Sequence, residues 1–198
     1  MAIKFQYNKT SLQGVEKQLK MRLRALPTIK NKESALRMEV KRAKDEATEL
    51  RQKLEVQISA YDKMSALWNE FEPTLISVQD VKLSTRKVTG IRVPMLDEVV
   101  FATKPFSLFN SPKWYADGIR LLQMLAKLGV EYEFCIMKIN RLEHARKKTT
   151  QKVNLFEKVQ IPGFEDAIRK IKRFMEDEEN LSKSSQKIMK SKQLNNAY

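Results

Sequence analysis

Four carboxylates stand in a row at Glu176, Asp177, Glu178 and Glu179. Two carboxylates that converge on one atom can share the acid and base roles of a hydrolysis. Four consecutive helical residues instead fan out by roughly 100° each, so this run reads as a solvated face. His144 is the single histidine, with Arg141 and Arg146 nearby and no Cys or His partner at metal-ligand spacing, so it reads as a surface residue. Cys135 is the single cysteine. It allows no internal disulfide, fits a reducing compartment, and is expected as a small buried apolar residue. The five glycines, at positions 14, 90, 118, 129 and 163, never cluster, which excludes a phosphate-cradling loop and a dinucleotide fingerprint. No serine or cysteine sits in a nucleophile elbow. Neither a catalytic centre nor a cofactor or metal is expected.

The chemistry that remains is charge. Lys and Arg number 38 against 24 Asp and Glu, a formal net charge of +14. Up to Lys44 there are twelve basic residues, opposed only by Glu16, Glu33 and Glu39. Lys183, Lys187, Lys190 and Lys192 add a basic C-terminal end. Such a balance attracts an acidic protein, a polyanion or an anionic membrane surface. Aromatic rings are not interleaved with the cations, as single-strand nucleic-acid binders require, so an acidic socket is the better partner. Lys30, Lys32, Lys41, Arg42, Lys152 and Lys190 are the candidate contacts.

These charges need elements to carry them. From about Thr10 to Glu72 the apolar residues step by three and four: Leu12, Val15, Leu19, Leu23, Leu26, then Leu36, Val40, Ala43, Ala47, Leu50, Leu54, Ile58, Tyr61, Met64 and Trp68. That spacing is a heptad seam, and a helix of this length, about 95 Å, needs a partner of similar length. A second stripe supplies it: Ile119, Leu122, Leu125, Leu128, Tyr132, Cys135, Ile139, Leu142, Thr149, Val153 and Phe156, resuming at Phe164, Ile168, Ile171, Met175, Leu181, Ser185 and Ile188. Ser111 followed by Pro112 reads as its N-cap and first residue. Pro27 and Pro162 should each kink a helix. Between the stripes, short Val- and Ile-rich runs broken by Gly90 and Pro94 read as strands. The expected fold is mainly α: a long antiparallel two-helix coiled coil, residues 1–72 and 111–198, with a small β-containing lobe at 73–110. The start lacks a signal-peptide core, and no window approaches the ~18 apolar residues of a membrane span.

Three stretches carry a family resemblance. Thr28 to Leu36 is similar to a basic helix motif, Leu-Leu-Lys-x-Lys-Arg-x-x-Leu. Arg86-Lys87-Val88-Thr89-Gly90-Ile91-Arg92-Val93-Pro94 is similar to a Val-x-Gly-Val-x-Val-Pro run. Gln151 to Pro162 is similar to an Arg-Arg-Val-Asn-Ala-Leu-Glu … Ile-Pro signature, with Val153, Asn154, Glu157, Ile161 and Pro162 in place. In order and spacing the chain resembles the D subunits of the V-type and archaeal-type rotary ATPases. Pro27, Glu33, Gln151-Lys152 and Leu155-Phe156 depart from the pattern and point to a divergent bacterial branch.

The resemblance implies a central rotor shaft: a non-catalytic cytoplasmic component, peripheral to the membrane and reaching it only through the complex. It implies a hexamer of A and B subunits as the acidic socket, an F subunit beside the lobe, and a C (d) subunit beneath. It places Val88, Gly90, Ile91, Val93 and Pro94 in a lobe that binds F or couples rotation. Two other readings compete with it: a basic coiled-coil scaffold binding nucleic acid, and a coiled coil lying on anionic lipid.

Overall fold

The computed structural model describes residues 3–107, 109 and 111–195, with the side chains of residues 62–65, 194 and 195 outside the description. The elements run α1 (Lys9–Ala60), a 3-10 stretch (Asp62–Glu70), β1 (Ile76–Val88), β2 (Ile91–Thr103), α2 (Tyr115–Leu155), a π turn (Phe156–Gln160) and α3 (Ile161–Asn195). They form two compact units, one of Met1–Lys32 with Lys148–Tyr198, the other Glu33–Lys147.

In the first unit α1 starts on a side-chain cap. Asn8 Oδ1 accepts the Ser11 N–H at 2.7 Å, satisfying a donor that the helix start leaves open, and Ser11 Oγ accepts the N–H of Gln6, ahead of the helix, at 3.1 Å. Val15, Phe164, Ala167 and Ile171 form the core, flanked by Leu12, Leu19, Ile168, Met175, Ile3 and Phe5. Glu16 pairs with Lys172, Arg22 with Gln160 and Lys30 with Glu157, so the two stretches run antiparallel.

The expected stripe fails at two places here. Leu23 is exposed; Arg22 occupies the inter-helix position instead, its guanidinium 4.7 Å from the Phe164 ring centre and 6.0 Å from that of Phe156. Leu181, Ser185 and Ile188 are also exposed, because α1 begins at Lys9 and no described segment lies along α3 beyond Met175.

The two prolines are accommodated differently. α1 continues through Pro27. Before Pro162 the chain takes a π turn, with Ile161 N–H bonded to Phe156 C=O. Proline lacks the N–H for the carbonyl four residues back and its ring clashes there; widening the preceding turn relieves that crowding.

In the second unit Leu36, Val40, Ala43 and Ala47 of α1 face Cys135, Ile139 and Leu142 of α2, and Val93 of β2 closes the core. Lys44 pairs with Glu143 and Glu46 with Lys138, again antiparallel. The helix expected to reach Glu72 ends at Ala60. Beyond it a 3-10 stretch turns Trp68 and Phe71 into an aromatic cluster with Trp114 and Tyr115, whose hydroxyl donates to Glu70 C=O; Pro73 then opens a single 3-10 turn, Pro73–Leu75, that leads into β1. Ile58 and Tyr61, expected in the seam, are exposed, and Met64 falls outside the described side chains. α2 begins at Tyr115, three residues after the expected start, with Tyr115 N–H bonded to Pro112 C=O.

β1 and β2 form one antiparallel hairpin closed by Thr89 and Gly90, with φ of 51° and 81°. Two consecutive positive φ values make a type I′ turn, whose twist matches that of the strands. Two register shifts, at Val78/Asp80 and Lys82/Leu83, mark bulges. Each absorbs one extra residue, so the cross-strand pairs Val78–Phe101, Val81–Val99 and Leu83–Leu96 share a face.

Candidate partner interface

The candidate cations divide between the units. In the first, Lys30 and Lys152 both flank the π turn. Lys30 Nζ lies 2.7 Å from Glu157 Oε1, and Lys152 Nζ is 5.9 Å from the Phe156 ring centre. Lys32 is exposed, and Lys190 lies on the stretch of α3 that is exposed on every side. In the second unit Lys41 is exposed and Arg42 sits 3.3 Å from Glu39, one turn away. These are solvated positions where each ion pair contributes about 0–1 kcal/mol.

The lobe residues fall elsewhere. Val93 is fully buried, and Val88 and Ile91 pack on the Leu36–Leu142 core. Gly90 forms the turn and Pro94 is half-buried opposite Thr85. The hairpin therefore folds back onto its own helices through Val88, Ile91 and Val93. What it presents outward is different: Val78 and Leu83, about half exposed, and the cations Arg86, Lys87 and Arg92. Alternation would have separated Val93 from Lys87 and Arg92, but which face meets the helices is a long-range fact.

Arg22 is a further residue that the sequence pattern did not single out. Its Nε donates to Gln160 Oε1 at 2.8 Å, and its guanidinium lies against Phe164, tying α1 to the π turn. The signal was available: Phe156, Gln160 and Phe164 recur every fourth residue on one helix face.

Several carboxyls are held below their usual range by a hydrogen-bonding lysine: Glu143 by Lys44, Glu98 by Lys82, Asp166 by Lys170 and Glu179 by Lys183. Burial raises the Cys135 thiol, whose Sγ donates to Ala43 C=O at 3.2 Å. Among the described residues, no three His, Cys, Asp or Glu side chains gather as a metal site, and no helix is long and apolar enough to cross a membrane. The arrangement can hold charge and apolar surface against another macromolecule.

The family model for the ATP synthase D subunit matches residues 11–191. A protein of Borreliella burgdorferi, named as the D subunit of a V-type ATP synthase, is 29% identical over 191 residues, 95% of this chain and 94% of its own length. Proteins of the same name from Chlamydia muridarum and Chlamydia pneumoniae are 26% and 27% identical, covering 97% of this chain and 97% and 94% of theirs. With two long antiparallel helical stretches and a hairpin between them, and a family match that spans nearly all of it, the chain belongs to the family of ATP synthase D subunits.

Proposed function

We propose that this chain is the central rotor shaft of a V-type ATPase or ATP synthase, peripheral to the membrane. The observation that supports it best is the family match over residues 11–191. A hexamer of A and B subunits would surround part of the helical pair, an F subunit would sit by the hairpin, and a C (d) subunit would seat the shaft on the membrane ring. Hydrolysis or synthesis in the hexamer would couple to ion translocation through rotation. The shaft itself would make and break no bond.

The surface suits such a bearing. A turning shaft must not be held strongly at any one angle. Lys30, Lys32, Lys41, Arg42, Lys152 and Lys190 are exposed, and each offers a contact of about 0–1 kcal/mol rather than the several that a buried pair would place at one angle.

Co-purification tests the reading. A tagged chain expressed in its own cell should bring down the A, B, F and C subunits in one complex with ATPase activity. A chain that elutes alone, while the complex assembles and hydrolyses ATP coupled to ion transport without it, would refute it.

A further inference from the structure

The hairpin differs in character between its middle and its tip. Midway along it Lys82 Nζ meets Glu98 Oε2 at 2.7 Å, and Ser84 Oγ donates to Asp97 Oδ1 at 2.8 Å. Charge there is neutralised within the hairpin. At the tip Lys87 stands directly across from Arg92, and Arg86, next in the chain, lies on the other face across from Val93. All three are exposed, and among the described residues no carboxylate pairs with them. Arg141 of α2 adds a fourth cation, its Nη1 donating to Arg92 C=O at 3.4 Å.

Directly opposed strand residues have Cβ atoms about 5 Å apart, and like charges so placed oppose pairing. The tip cannot splay to relieve this, because Val88 and Ile91 are seated on the helices and Val93 is fully buried. The fold thus holds unneutralised like charges at a fixed place. The face that bears Lys87 and Arg92 continues toward the base through Leu83–Leu96, Val81–Val99 and Val78–Phe101. Leu83 is 54% exposed and Val78 49%. Cations at one end and an apolar strip at the other make a bipartite surface.

We propose that this face of the hairpin docks another polypeptide of the same complex, one that sets carboxylates against Lys87 and Arg92 and an apolar strip against Leu83 and Val78. The inference rests on the shaft reading above and adds the chemistry of the partner surface. Phosphates would satisfy the cations but not the apolar strip, and beside the cations, between Leu83 and Leu96, there is no aromatic ring on which a base could stack; Phe101 lies at the far end of the strip, across from Val78. The chain's charge of +14 adds long-range attraction toward an acidic partner.

Lys87→Glu separates docking from folding. In the free chain it places a carboxylate opposite Arg92, so the melting temperature should rise by about 1–4 °C. In the complex reconstituted from its cognate subunits, the same change should weaken retention of the partner roughly tenfold at low ionic strength. The difference should shrink at about 1 M salt, where charges are screened within about 3 Å. Arg92→Gln should weaken retention likewise. Carbodiimide treatment of the wild-type complex, which joins an ammonium directly to a carboxylate, should couple Lys87 to an Asp or Glu of another polypeptide. Unchanged retention in both variants, or coupling of Lys87 only within its own chain, overturns the inference. So does binding to random duplex DNA that the variants abolish while assembly stays intact. Failure of the wild-type chain to assemble at all overturns the shaft reading itself, an outcome distinct from the others.

Discussion

The type I′ turn at Thr89-Gly90 yields two adjacent substitutions with opposite expected signs. Thr89 has φ of 51°, the left-handed region, although threonine is β-branched. That region costs an L residue roughly 1–2 kcal/mol, and asparagine occupies it most readily among non-glycine residues. Thr89→Asn should therefore stabilise the chain by about 1 kcal/mol, or about 2–4 °C in melting temperature for a chain of this size. Gly90 has φ of 81°, so Gly90→Ala should destabilise by about 1–2 kcal/mol. The hairpin cannot escape by slipping register, because Val88 and Ile91 on either side of the turn pack on the core, and a slip of one residue would turn both away from it. Urea unfolding of the free chain, followed by circular dichroism, measures both changes. A destabilising Thr89→Asn, or a Gly90→Ala without effect, would refute the argument that backbone conformation at this turn is a cost borne for seating the hairpin.

Other outcomes follow from side chains away from the turn. Arg22→Ala should cost about 1–2 kcal/mol through loss of its contact with Phe164 and its bond to Gln160, whereas Lys30→Ala should cost under about 1 kcal/mol; the same urea titration would show it. Cys135 should resist thiol reagents at neutral pH in the folded chain and react at once in denaturant, because it is buried and its thiol is raised; fast labelling of folded protein contradicts this. Glu98, Glu143, Asp166 and Glu179 have depressed folded-state values, so they stabilise the fold above their unfolded values, ordinarily 4.5 for Glu and 3.8 for Asp, and that stability is lost as pH falls through the lower folded values. Stability should therefore decline below about pH 4.5, less steeply in the Glu143→Gln variant; equal slopes would deny Glu143 its part.

Much of the fold could be read from residue spacing, and the exceptions share one cause. Leu36, Val40, Ala43 and Ala47 step by four, three and four and meet Cys135, Ile139 and Leu142 as a seam should. Periodicity says which face is apolar but not whether anything lies beside it. That is why Leu181 and Ile188 carry the stripe yet stand exposed, and why the helix expected beyond Ala60 yields to the Trp68–Phe71 cluster. The strands were visible in the Val- and Ile-rich runs around Gly90, since β-branched residues favour the pleated chain. Their packing was not, because contact between Val93 and the α1–α2 core joins residues far apart in sequence. The π turn left one local sign, Pro162, and that proline alone does not tell a kink from a widened turn. The nominated cations were legible as a basic excess; their neighbours, Glu157 for Lys30 and Glu39 for Arg42, depend on helix pairing and helix turns.

The central claim is that this chain turns. Gln79, the exposed residue absorbed by the first bulge, can be replaced by cysteine and tagged with a bead or gold particle, since native Cys135 is buried. With the A and B subunits of the reconstituted complex fixed to a surface, addition of ATP should make the marker rotate in one direction, in steps that slow in proportion as ATP is diluted. A marker that stays still while the same complex hydrolyses ATP at its full rate would contradict the account.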